Sequence, residues 1–200
     1  MNRLPFVLLG LLLAGCSTGI AVDKYNAAPA SRASFMQCHG YSCTTKTATR
    51  FSEADWKKVA AIFRPTAKSA EKERSKIAAA LALMERQIGA KTGTSEDLPM
   101  AGMVKESTRQ LDCIDETVNT THYIEFLQDA GLLRFHEITE PTHRGYIFDA
   151  RWPHNTAVIR EKKTGALWAV DTFYRANGEE PYILPRSDWL AGWKPVGATQ

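Results

Sequence analysis

The chain has 200 residues, of which 44% are hydrophobic, 24% charged and 10% aromatic. That size and balance suit one globular domain and exclude a collagen, a long coiled coil and a largely disordered chain. Twenty-five basic residues against 22 acidic ones leave a net charge of +3, and the basic residues are scattered, which excludes the footprint of a nucleic-acid partner.

Arg3 precedes an apolar run from Leu4 to Leu13. The run is too short for a membrane span, which needs about 20 residues, but it has the length of a signal-peptide core. It ends Leu13-Ala14-Gly15-Cys16, which resembles the lipobox of bacterial lipoproteins; an ordinary signal peptide with a chance cysteine is the alternative. The resemblance implies a signal peptide over 1–15, acylation of Cys16 and a membrane held through lipid. Removing Arg3 leaves 24 − 22 = +2, so lipid rather than charge would anchor the mature chain. Ser17, being other than Asp, points by the same resemblance to the outer membrane, facing the periplasm. Residues 16–37, rich in Ser, Thr, Ala and Gly, read as a lipidated tether, and 38–200 as the domain.

Cys38-His39-Gly40-Tyr41-Ser42-Cys43 predicts a small disulfide loop in an oxidising compartment. The alternative is a metal or haem site. Haem attachment wants Cys-x-x-Cys-His, and zinc would need two further ligands that the surrounding residues do not offer.

Ser52 with Asp55 three residues on predicts a capped helix start. Trp56, Val59, Ala60 and Phe63 form one face of that helix, and Pro65 stops it. A second helix is expected from about Ser69, with Ile77, Leu81, Met84 and Ile88 as its stripe and Gly89 as its end. Residues 89–108 read as a loop. Asp112 is a good N-cap for a third helix that begins at Cys113, runs through Val118, Tyr123, Ile124 and Leu127, and ends at Gly131. A cysteine there feels the positive end of the helix dipole, which favours thiolate. Asp112 and Asp115 oppose this, so a basic partner is required. A buried structural cysteine is the plain alternative.

Beyond Gly131 strands are expected at 132–138, 146–148, 154–160 and 166–173, with Glu161-Lys162-Lys163-Thr164-Gly165 as a hairpin turn. If Glu161 pairs with Ala166, then Asp171 lies opposite Thr156, and His154 becomes a diagonal neighbour of Asp171 on the same face. A slip of one residue would separate them. In the proper register His154 can serve as base for Cys113, with Asp171 fixing the imidazole tautomer. Tyr182-Ile183-Leu184 predicts a further strand, and Ser187-Asp188-Trp189 a short terminal helix packed through Trp189, Leu190 and Trp193.

From Gln110 to Phe173 the chain resembles the transglutaminase-like superfamily of papain-like cysteine enzymes. The matching pieces are Cys113 at a helix start, Ala130-Gly131-Leu132 at its end, His154 on one strand and Trp168-Ala169-Val170-Asp171-Thr172 on the next. The departures are Asn155, where the family often has a small residue followed by Trp, and a Cys113 segment without the frequent Gly-x-Cys run. Asp112-Cys113 is also similar to the Asp-Cys pair of papain-like cell-wall amidases, whose third member is commonly a second His. The resemblance implies an α+β fold, N-terminal helices packed on an antiparallel sheet, and a Cys113–His154–Asp171 triad working through a thioester. The Cys113 N–H would form part of an oxyanion hole, with Gln110 as a candidate second donor. Trp152 would wall the cleft or fill the core.

His122 lies too far along the third helix to serve the thiol, and His39, His136 and His143 show no ligand spacing, so neither metal nor cofactor is expected. The expected function is a lipid-anchored envelope peptidase or amidase acting on a peptide, protein or cell-wall peptide. The alternative is a non-catalytic envelope lipoprotein that binds such a partner with the same fold.

Overall fold

The helices begin where side chains can catch their unpaired N–H groups. In the computed structural model, which describes residues 30–101, 107–145 and 153–198, Ser52 and Asp55 close a reciprocal capping box on α1 (Glu53–Ile62). Ser69 caps α2 (Ala70–Thr92), and Asp112 with Asp115 closes a second box on α3 (Cys113–Asp129). The segments proposed as signal peptide and lipid-bearing Cys16 lie outside the described residues, as do Tyr146-Ile147-Phe148 and Trp152.

The architecture is α+β. A hairpin of β1 (Phe35–His39) and β2 (Thr45–Thr49) precedes the helices. An antiparallel sheet follows in the order β3-β4-β5-β6, built from β3 (His136–Arg144), β4 (His154–Glu161), β5 (Leu167–Asp171) and β6 (Tyr182–Pro185). The short helix α4 (Arg186–Leu190) closes the chain. None of the helices among the described residues is long and apolar enough to cross a membrane.

One face of the sheet meets the helices. Ala157 and Ile159 of β4 and Val170 of β5 pack with Tyr123, Ile124 and Leu127 of α3 and with Ile77, Leu81 and Met84 of α2. Each fully buried Ile or Leu of this layer contributes roughly 1.5–3 kcal/mol of transfer free energy. Side chains alternate along a strand, so Asn155 shares the helix-covered face with Ala157 and Ile159, while His154 shares the other with Thr156 and Val158.

Four expectations need correction. The domain begins before Cys38, since Phe35 is buried against Phe51, Tyr123 and Phe126; the tether cannot extend to residue 37. Helix α2 passes through Gly89 and ends at Gly93, which takes the left-handed conformation at φ 79°. Gly89 serves close packing instead, because a Cβ there would lie 2.9 Å from Asn177 Oδ1. Strand β3 starts at His136, later than residue 132, because Leu132 and Leu133 complete the turn after α3, where Leu132 N donates to Leu127 O. It then continues to Arg144 through an irregularity between Thr139 and Thr142, where Pro141 has no N–H to give the ladder.

Candidate functional site

Asp112 Oδ1 accepts from the N–H groups of Ile114 and Asp115 at 3.0 and 2.9 Å, and this fixes Cys113 as the first residue of α3. The same carboxylates take the backbone of the disulfide loop. Ser42 N donates to Asp112, and Tyr41 N and Cys43 N donate to Asp115. Residues 40–43 can aim these N–H groups together because all four have positive φ. The Cys38–Cys43 disulfide ties the loop's ends, and Asn119 of α3 grips both the N–H and the C=O of Cys38. The two sulfurs and an Asp115 oxygen converge, but the disulfide uses both sulfurs.

The only free cysteine among the described residues is Cys113, and it is partly buried. Burial pushes its thiol up to about 11, helped by the charges of Asp112 and, less, Asp171; the backbone and side-chain amides of Asn155 act in the opposite sense. The expected dipole-stabilised thiolate is therefore overruled by desolvation and two carboxylates, and the resting sulfur is a neutral S–H. Asn155 Nδ2 lies 3.8 Å from the sulfur.

The hairpin register is the expected one: Glu161 N donates to Ala166 O, and Ala157 lies opposite Val170. His154 and Asp171 consequently meet as diagonal neighbours, with Nε2 2.8 Å from Oδ2. Both are buried, at 2% and 1% exposure. Trp189 Nε1 donates to the same oxygen at 2.6 Å, and Phe173, Tyr174 and Trp189 surround the imidazole. Arg144 lies over Trp189, donates to its carbonyl and reaches the Tyr174 hydroxyl.

His154 and Asp171 are thus brought together. Cys113 approaches the next residue, Asn155, and among the described residues no hydrogen bond joins Cys113 to His154. Strand alternation is the reason: consecutive residues of β4 serve opposite faces.

Gln110 is not an oxyanion donor in this arrangement. Its Oε1 accepts from Leu98 N and its Nε2 donates to Glu96 O, so both ends of the amide pin the 96–98 segment. Sequence proximity to Cys113 was no guide to where the side chain points. Asn155, a departure from the pattern of the family that the sequence resembles, faces the thiol; its alternation from His154 is the signal that could have found it.

Beside this site lie three further carboxyls. Leu111 N donates to Asp97, and Gly178 N to Glu85. Burial raises Asp97 to about 7 and Glu85 to about 8, and it raises Glu116 of α3 well above its ordinary range. Their mutual repulsion adds to the last two. Neutral carboxyls are thereby favoured under α3, a packing role with no catalytic geometry of its own.

Of the other histidines, His136 is paired with Glu73, His39 contacts Thr47 and the Thr108 carbonyl, and His122 stacks on Phe126. His143 contacts Asn155. Comparisons with family models, with curated proteins and with solved structures find no match to this chain.

Proposed function

We propose that this is a lipid-anchored cell-envelope cysteine hydrolase, a peptidase or amidase of transglutaminase-like, papain-like fold. The observation that carries the reading is the buried His154–Asp171 pair at 2.8 Å, one residue away in the chain from the Asn155 amide that faces the Cys113 sulfur. The lipid anchor rests on Leu13-Ala14-Gly15-Cys16, and the Cys38–Cys43 disulfide agrees with an oxidising compartment.

Asp171 holds Nε2–H, which leaves Nδ1 as the basic nitrogen of a neutral imidazole. Because Cys113 is protonated at rest, His154 acts during attack rather than before it. For this the thiol has to leave Asn155 and reach Nδ1 around the first residue of β4, since His154 stands on the other face of the sheet. As the S–C bond forms at the substrate carbonyl, the proton passes to Nδ1 and Asp171 stabilises the imidazolium. Collapse breaks the C–N bond, and His154 returns the proton to the leaving amine. The same imidazole then deprotonates the water that cleaves the thioester and restores the thiol. An amine in place of water would make the product a transamidated one.

p-Nitrophenyl acetate tests the chemistry without a known substrate. The expected result is a burst of p-nitrophenolate with an acetyl group on Cys113 by mass spectrometry, absent in Cys113→Ser and slowed about 10²–10⁴-fold in His154→Ala. Absence of acetylation, or an equal burst in His154→Ala, overturns the reading. The second reading is a non-catalytic lipoprotein that binds a protein or cell-wall peptide. The thiol raised to about 11 favours it, and it predicts no acyl adduct at all.

A further inference from the structure

His143 and Asn155 are directly opposite each other on β3 and β4. His143 Nδ1 lies 3.0 Å from Asn155 Oδ1, and its Nε2 lies 2.7 Å from the Gly145 carbonyl oxygen. Both ring nitrogens therefore face oxygen acceptors. The Gly145 carbonyl can only accept, so Nε2 carries a proton. A neutral ring then presents a lone pair from Nδ1 to the lone pairs of Oδ1, which is repulsive. Two arrangements remove the conflict. Either His143 carries both protons and holds Oδ1, or the Asn155 amide turns over, giving N–H to Nδ1 and oxygen to Cys113. Amide orientation is decided by its hydrogen-bond partners.

The two arrangements do opposite things to the sulfur. In the first, Asn155 Nδ2 donates toward Sγ, as at the observed 3.8 Å, and a donor there stabilises thiolate. In the second, the oxygen accepts S–H and holds the thiol neutral. We propose that Asn155 is the hydrogen-bonding arm of Cys113 and that His143 is the positioning residue that decides whether the arm presents a donor or an acceptor to the sulfur. The proposal deepens the acyl-transfer reading and rests on it only for its purpose, since the effect on the thiol exists without turnover.

The experiment is the rate of Cys113 alkylation by iodoacetamide in the folded chain, located by mass spectrometry, with circular dichroism confirming the fold of each variant. With Nδ2 toward the sulfur, Asn155→Ala should slow alkylation about tenfold, the worth of one hydrogen bond to a charged acceptor. His143→Leu should slow it similarly, because the amide loses the group that orients it. The double variant should be no slower than either single one, since both remove the same interaction. His143→Gln should restore the wild-type rate, because its amide N–H can again hold Oδ1. Wild-type reactivity in His143→Leu, additive losses in the double variant, or failure of His143→Gln to restore the rate would each overturn the proposal. Failure of the hydrolase reading shows separately, as a missing acetyl burst.

Discussion

Among the described residues stand two buried histidine–carboxylate pairs, and they are built differently. In the pair of His136 and Glu73, exposed 0% and 1%, the carboxylate is saturated. It accepts from the N–H groups of Arg134, Phe135 and His136 and from His136 Nδ1, and Arg74 covers His136 Nε2. Burial alone would raise Glu73, but these donors outweigh it and hold the group below its ordinary value. In the pair of His154 and Asp171, Oδ2 takes two donors while Oδ1 is buried with no partner among the described residues. A pair that is complete in itself staples a strand to a helix. A pair with a lone pair to spare, one residue along β4 from the side chain that meets a thiol, has capacity left for chemistry.

That contrast can be broken in order of expected effect. Glu73→Ala should lower stability by about 3–5 kcal/mol, since it leaves three backbone donors and a buried imidazole without an acceptor; chemical denaturation would measure it. Provided the variant stays folded, the acetyl burst should be unchanged. Asp171→Asn should do the reverse, slowing acylation about 10²–10⁴-fold through the wrong tautomer while costing less stability than Glu73→Ala. If both variants lose stability alone, the pairs are equivalent and the difference drawn between them fails. Trp189→Phe keeps the ring packing and removes one donor to Asp171, so a loss of about 1–3 kcal/mol and a milder slowing are expected.

The carboxyls under α3 are tested by pH instead. Unfolded, Asp97 and Glu85 would ionise near pH 4, whereas in the fold they are raised to about 7 and about 8. Between those limits the native state holds more protons than the unfolded chain. Stability is therefore full below about pH 4, falls as pH rises toward about 8 by about 1.4 kcal/mol per unit for each retained proton, and then levels. Glu85→Gln should flatten this slope in denaturation curves taken across that range. An unchanged slope would show that burial does not hold the proton there.

The parts of the molecule that could be read from sequence were those with local physics. The Asp112 cap fixes the start of α3 through its own side chain, and the turn at 161–166 sets the register that joins His154 to Asp171. Nonlocal choices were not legible. Thr45–Thr49 is a strand of alternating half-buried and exposed residues, without the apolar alternation that marks a strand, and it forms because Phe35 on its partner is buried beneath Phe51. Gln110 had the chemistry of an oxyanion donor, but Leu98 and Glu96 compete for its amide. His143 had no visible role because its partner on β4 depends on how many residues β3 leaves unpaired.

That unpaired surplus has a consequence for chain length. Thr139 faces Val158, yet Thr142 faces Thr156, so β3 spends two residues where β4 spends one. A chain one residue shorter at 140–141 could run an uninterrupted ladder and still place His143 on Asn155 and Arg144 opposite His154. The same deletion in β4 would turn every later side chain to the wrong layer. The tolerance of this sheet to insertion and deletion is therefore unequal between neighbouring strands: β3 has a spare position at its bend, and β4, which carries His154 and Asn155, has none.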